Sequence, residues 1–392
     1  MKKIKVMTIF GTRPEAVKLC PVILELEKNQ DYIDSKVCVT AQHRDMLDQV
    51  LEVFRVNPDY DLDVMKERQT LNEITMSVVR GLTEIFENEK PDLVLVHGDT
   101  ITTFLASYTA FLHQIKVGHV EAGLRTFNKQ SPYPEEVNRQ LVGVLADLHF
   151  VPTEWALENL GKENRTEGIY LTGNTVACAY QYTLKEKYNH PVLEWADGRK
   201  IIFLTAHRRE SLGRQHSQVF RAIKRIVDEF EDLVVIFPVH PNPVIKELAF
   251  EFFNEHLRIK LVEPFDVIQW HNLLPHAHLI VTDSGGVQEE APSFKVPTLV
   301  IRENTERPEG VMTGNLRLVG TEEDNVYANI YDLLTNQEAY KKMSKLANPY
   351  GDGKASERIV QSILHFFGYR VDKPNIFKSP KMIGDAKVTL LV

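Results

Sequence analysis

DSGGVQEEAPSFKVPTLVIRENTERPE, residues 283–309, decides the reading of this chain. The apolar run His278-Leu279-Ile280-Val281-Thr282 ends in Asp283-Ser284-Gly285-Gly286, and a helical pattern opens at once. That order predicts a strand, a tight glycine turn and a helix N-terminus. Glycine lets backbone approach a ligand closely. First-turn N–H groups and the helix dipole favour an anion, typically phosphate. Glu289 and Glu290 follow on the same helix. Carboxylates repel a diphosphate, so their expected partners are sugar hydroxyls. Phosphate donors with a hydroxyl-reading acid one turn later describe a nucleotide-sugar site.

Outward from this stretch, apolar strand runs alternate with helical patterns. The first series is 5–11, 36–40, 92–98, 116–122, 148–153 and 168–173, with helices from Pro14, near 45–53 and over about 70–89. The second is 200–205, 233–240, 259–264, 278–284, 297–302 and 316–320. Continuous β-branched runs suit strands buried on both faces. Alternation with helices implies a parallel, doubly wound sheet. The expected fold is therefore α/β, with two Rossmann-like domains and a central cleft, over residues 1–175 and 176–355. The polar stretch 185–200 reads as a linker, and 371–392, which lacks helical period, as a tail. Ligands of open α/β sheets sit at the carboxyl ends of strands.

Bulk properties set the class. A length of 392 residues allows two domains with separate cores. A net charge of −8, from 46 basic and 54 acidic residues, argues against nucleic acid or a membrane surface as partner. The N-terminal apolar run is too short for a signal peptide, and no segment reaches transmembrane length. The expected location is the cytoplasm. Cys20, Cys38 and Cys178 lie far apart, have no metal-type spacing and read as reduced, buried thiols.

The unusual polar residues fall at strand ends. The first strand ends in Gly11-Thr12-Arg13-Pro14-Glu15, with Lys18 one turn on. Arg13 and Lys18 suit an anion at that helix start; a solvated helix face is the alternative. Asp99 follows Val96-His97-Gly98, Glu121 follows His119-Val120, and Glu135 opens a helix at Pro134. Singly, Asp99 passes as an N-cap and Glu135 as a first-turn dipole residue. Three acids from three loops on one edge suit acid/base chemistry, where neighbouring carboxylates shift one another. In the second half, His207-Arg208-Arg209 ends a strand and suits phosphate or leaving-group contact, or else a surface loop with ion pairs. His240 repeats the position at the next strand, where a hydrogen bond to a neighbouring loop is its other reading. Arg307, in TERPE, is placed to close on a diphosphate.

These motifs resemble the non-hydrolysing UDP-N-acetylglucosamine 2-epimerase family. The resemblance runs from GTRPEAVKLCPV (11–22) through TAQHRDMLDQV (40–50), HGDT (97–100), HVEAGLRT (119–126), PEEVNR (134–139), AHRRES (206–211), PVHPNP (238–243) and DSGGVQEEAP (283–292) to NPYGDGKAS (348–356). It implies a glycosyltransferase-B-like fold, usually a homodimer, and a final helix (356–370) packing back on the first domain. It implies reversible, cytoplasmic interconversion of UDP-GlcNAc and UDP-ManNAc, supplying wall or capsular polysaccharide. Under this resemblance the catalytic residues are Asp99, Glu121, Glu135 and His207. The UDP and sugar set is Arg13, Lys18, Ser284, Gly285, Gly286, Glu290 and Arg307. An allosteric UDP-GlcNAc site would use Gln42, His43, Arg68, Arg209 and His240, with Glu135 beside it. Asp45 stands where some allosteric relatives have glutamine.

The chemistry agrees with these residue types. The sugar C2 proton has no adjacent carbonyl to acidify it. Breaking the C1–O bond to UDP builds positive charge at C1 and acidifies C2–H. Anion stabilisation is needed for departing UDP, and carboxylates for the cation and the proton. Loss of UDP gives a 2-acetamidoglucal, and re-addition with protonation from the other face inverts C2. No cofactor and no metal enter this route. The alternatives are a hydrolysing epimerase, a glycosyltransferase of the same fold and a nucleotide-sugar sensor. A dehydrogenase is disfavoured, since no G-x-G-x-x-G follows the first strand.

Overall fold

The computed structural model describes residues 2–41, 44–65, 69–207 and 213–380. The chain divides into two compact units. Unit 1 holds the chain up to Tyr182 and again Tyr350–Ser379; unit 2 holds Thr183–Pro349.

Unit 1 runs β1 (Ile4–Phe10), α1 (Arg13–Lys28), β2 (Ile33–Val39), α2 (Arg44–Phe54), β3 (Tyr60–Asp61), α3 (Leu71–Glu89), β4 (Leu93–His97), α4 (Ile101–Leu112), β5 (Lys116–Val120), α5 (Glu135–Leu145), β6 (Leu148–Val151), α6 (Glu154–Lys162), β7 (Ile169–Leu171) and α7 (Val176–Thr183). Its strands form one parallel sheet in the order β3-β2-β1-β4-β5-β6-β7. The central strands are apolar throughout because helices cover both faces; every residue of Leu93-Val94-Leu95-Val96-His97 is buried.

Unit 2 runs α8 (Pro191–Ala196), β8 (Lys200–Thr205), α9 (Arg214–Glu229), β9 (Leu233–Pro238), α10 (Pro243–Phe253), β10 (Ile259–Val262), α11 (Val267–Leu273), β11 (Leu279–Thr282), α12 (Gly285–Glu290), β12 (Thr298–Val300), α13 (Pro308–Met312), β13 (Leu316–Leu318), α14 (Glu323–Thr335) and α15 (Gln337–Ser344). Its parallel sheet is ordered β10-β9-β8-β11-β12-β13. Phe220, Phe237 and Phe253 interlock in its core, fully or almost fully buried. The last helix, α16 (Ala355–Phe366), belongs to unit 1 and packs on α1.

Each sheet reverses its strand order once, between β1 and β4 and between β8 and β11. Such switch points leave a crevice outside the strand ends, where α/β proteins bind ligands. Three readings of the sequence change in detail. The stretch taken as a linker contains α8, whose Val192 and Ala196 are buried in the unit 2 core. The short edge strand β3 carries too little pattern to be seen in sequence. Residues 371–379 are no loose tail. The Phe377 N–H donates to the Leu171 carbonyl of edge strand β7 (2.9 Å), and the Phe377 ring is buried.

Candidate active site

At the unit 1 switch point, Glu15 joins two loops. Its Oε2 accepts from the Gly11 and Thr12 N–H groups and the Thr12 hydroxyl at 2.8–3.1 Å, forming a capping box at α1. Its Oε1 accepts from the Thr100 and Thr103 hydroxyls (2.8 and 3.0 Å). The turn carrying Arg13 is thereby tied to the turn carrying Asp99.

Asp99 is tied in turn to α5. Arg139 ion-pairs with the Asp99 carboxylate, and Asn138 Nδ2 donates to the Asp99 carbonyl (2.9 Å). Glu135 is the first residue of that helix and is half-buried. Helix α5, which Glu135 opens, is thus tied through Asn138 and Arg139 to the turn that carries Asp99.

Glu121 completes the acid set at the end of β5. It sits at φ +63°, a left-handed conformation unusual for glutamate and the kind of strain found at functional sites. Lys18 ion-pairs with its Oε2, and Asn174 Nδ2 donates to the same oxygen (2.8 Å). His97 Nε2 lies 3.6 Å from it. Lys18, read from sequence as a diphosphate ligand, spends an ion pair on this acid. Beside it, His119 is held neutral: burial pushes its pKa down to about 3, although its Nε2 contacts the Gly98 carbonyl (2.7 Å).

At the unit 2 switch point, β8 and β11 align Thr205 with Thr282, whose hydroxyls share a hydrogen bond (2.5 Å). His207 follows. Its N–H donates to Asp283 Oδ2 (2.7 Å), and its Nδ1 lies 2.8 Å from Asp283 Oδ1. Asp283 is fully buried, so the imidazole is oriented by a fixed carboxylate. The His207 side chain keeps 36% exposure, and its ring stacks on His240 at 5.7 Å.

Ser284 and Gly285 form the expected strand-turn-helix junction at α12. A Cβ at Gly285 would stand 2.5 Å from Arg307 Nη1, so only glycine lets that guanidinium lie against the turn. Arg307 Nε donates to Glu289 Oε1 (2.6 Å) and Nη1 to Glu306 Oε1 (2.5 Å). Glu289 is therefore an ion-pair partner of Arg307. Glu290 accepts from the Trp270 indole N–H (2.7 Å), with His271 Nε2 at 3.8 Å.

Of the allosteric set, His240 is described, while Gln42, His43, Arg68 and Arg209 lie outside the described residues. Sequence reasoning assigned no role to Asp283 or Asn174. Both are polar residues at strand ends, the signal that found the others. Among the described residues no group of three or more His, Cys, Asp or Glu side chains is arranged to hold a metal, and no helix is long and apolar enough to cross a membrane.

Two doubly wound parallel units, each with its polar residues at a switch point, place the chain in the glycosyltransferase-B-like α/β class. The model of the UDP-N-acetylglucosamine 2-epimerase family matches residues 25–364. The UDP-N-acetylglucosamine 2-epimerase of Bacillus subtilis is 57% identical over 96% of this chain and 99% of its own. The S. aureus MnaA–UDP co-structure is 48% identical with a TM-score of 0.91, covering 96% of this chain and 100% of its own. The Neisseria meningitidis UDP-GlcNAc 2-epimerase bound to UDP-GlcNAc is 44% identical with a TM-score of 0.87, covering 92% and 100%. The chain belongs to the UDP-N-acetylglucosamine 2-epimerase family and is an epimerase, in the isomerase class.

Proposed function

We propose that this enzyme interconverts UDP-GlcNAc and UDP-ManNAc without hydrolysis, by anti or syn elimination of UDP and its re-addition. The observation that carries the reading is Glu121: a carboxylate in a strained turn, its side chain largely buried, held by Lys18 and Asn174 next to the Gly98 turn that leads to Asp99. Relatives 44% and 48% identical have been solved with UDP-GlcNAc and with UDP.

The residues divide the work. Asp99, Glu121 and Glu135 steady positive charge at C1 and move the C2 proton. Ser284, Gly285, Gly286, Arg13 and Arg307 receive the diphosphate as the C1–O bond breaks. His207, oriented through Nδ1 by Asp283, presents Nε2 to the departing oxygen. Glu290 and Lys18 complete the substrate set. The electron pair of the C1–O bond leaves with UDP, and the C2–H pair becomes the C1–C2 double bond of the 2-acetamidoglucal. UDP then returns to C1 while a proton adds to the opposite face of C2. A second UDP-GlcNAc at the residues around His240 is the proposed activator.

A homodimer fits the exposed apolar side chains of α3, α4 and α5, among them Met76, Phe111, Leu112 and Val144. The cytoplasm, where nucleotide sugars are made, fits the reduced form of Cys20, Cys38 and Cys178, all buried and free.

The test uses UDP-GlcNAc carrying 18O in the bridge between C1 and the β-phosphorus. Elimination predicts that label appears in non-bridging β-phosphate oxygens of recovered substrate while UDP-ManNAc forms. Free ManNAc and UDP as the main products would instead identify a hydrolysing enzyme.

A further inference from the structure

Asn174 follows Gly173 just after β7, and its carboxamide is fixed at both ends. Oδ1 accepts the N–H of Val176, the first residue of α7 (2.9 Å). With the oxygen so committed, Nδ2 must point away, and it donates to Glu121 Oε2 (2.8 Å). Flipping the amide would set NH2 against N–H and a carbonyl against a carboxylate, losing both bonds. The backbone is held as well. The Asn174 N–H donates to the Tyr350 carbonyl (2.7 Å), and Arg358 Nη1 donates to the Thr172 carbonyl (3.0 Å). Gly173, at φ +85°, lets the Phe377 ring lie against the turn. The Asn174 side chain is therefore a buried donor of one direction, aimed at one oxygen.

We propose that Asn174 is a positioning residue for Glu121, fixing the orientation of its carboxylate and holding Oε2 as an unprotonated acceptor. This rests on reading Glu121 as a catalytic acid. The charged and titratable groups facing Oε2 include Lys18 from α1 and His97 from β4. Oε1 lies on the side of Gly98, where a Cβ would touch it at 3.8 Å. Hydrogen bonds to the charged form of a carboxylate favour that form. Removing the Asn174 donor therefore raises the proton affinity of Oε2 and leaves Lys18 to hold that oxygen without the fixed direction of the carboxamide.

Asn174→Asp is the discriminating variant. It keeps an oxygen for the Val176 N–H and sets a second carboxylate against Glu121. Full-length N174D, N174A and E121Q are compared with wild type for UDP-GlcNAc conversion, as kcat, KM and the pH profile of kcat. We expect E121Q to be inactive. N174D is expected to lose about a hundredfold in kcat with KM within about threefold, and its acid limb to move up by about one pH unit. N174A, which serves if N174D does not fold, should move the limb the same way by less. A wild-type acid limb in N174D, or in N174A as the substitute, overturns the proposal even if kcat falls, since a purely structural role lowers activity without moving it. Retained activity in E121Q overturns the reading of Glu121 and this inference with it.

Discussion

His207 and Asp283 make the sharpest demand at the scale of single residues. A buried carboxylate that accepts from the backbone N–H of one histidine and lies 2.8 Å from its Nδ1 orients the ring. Asp283→Asn replaces an acceptor with a group that also donates, so the imidazole loses its orientation. We expect kcat to fall about a hundredfold with little change in KM. His207→Ala added to it should cost almost nothing more, because residues acting as a unit are not additive. Steady-state kinetics on the single and double variants check this; a fully additive double variant contradicts it. The sequence revealed that Asp283 ends a strand, but Ser284-Gly285-Gly286 drew the reading toward the turn. It likewise showed Lys18 and Glu289 as charges. Their partners, Glu121 and Arg307, lie on other elements, 103 and 18 residues away, and a local pattern does not carry either pairing.

Elements were legible where burial is two-sided. β4 and β8 read as strands because their apolar runs are continuous; β8 has the bounds expected, and β4, expected over 92–98, runs Leu93–His97. Several predicted strands extended too far because the polar residues after them leave the ladder and enter loops. β5 ends at Val120, before Glu121 turns into the left-handed region. The same strand carries a pH signature. Burial holds His119 near pKa 3 and His149, on the neighbouring β6, near 4. Both are neutral when folded, whereas an unfolded histidine protonates near 6.5. The unfolded chain then binds more protons, so their stabilisation is complete above about pH 6.5 and is lost as pH falls toward the folded values. The loss is about 1.4 kcal/mol per pH unit for each histidine. His119→Gln should flatten the fall of the urea midpoint between about pH 6.5 and 5. An unchanged slope would show that His119 already binds a proton in the fold.

For the whole molecule, two doubly wound parallel units were visible in the alternation of runs, their strand orders come from the structure, and the family match covers residues 25–364. Two features were not. The six-residue α8 is too short to show a period. Residues 371–379 are held by a backbone bond to β7 and by Phe377, and neither leaves a repeating pattern. This segment covers an edge strand that would otherwise offer unpaired backbone groups. Phe377 lies against Gly173 and beneath the Arg358 guanidinium, which also bonds Asp352. Phe377→Ala is expected to destabilise unit 1 by about 3 kcal/mol. Thermal unfolding should show an earlier transition and more aggregation. An unchanged transition would mean that the segment adds nothing to the fold.

Solvent exchange at C2 probes the central claim most directly. Purified enzyme is incubated with UDP-GlcNAc in D2O, without NAD or any acceptor, and followed by proton NMR. The account predicts UDP-ManNAc carrying deuterium at C2, with little free sugar or UDP. UDP-ManNAc that keeps its original C2 proton, or ManNAc and UDP accumulating as free products, would contradict it.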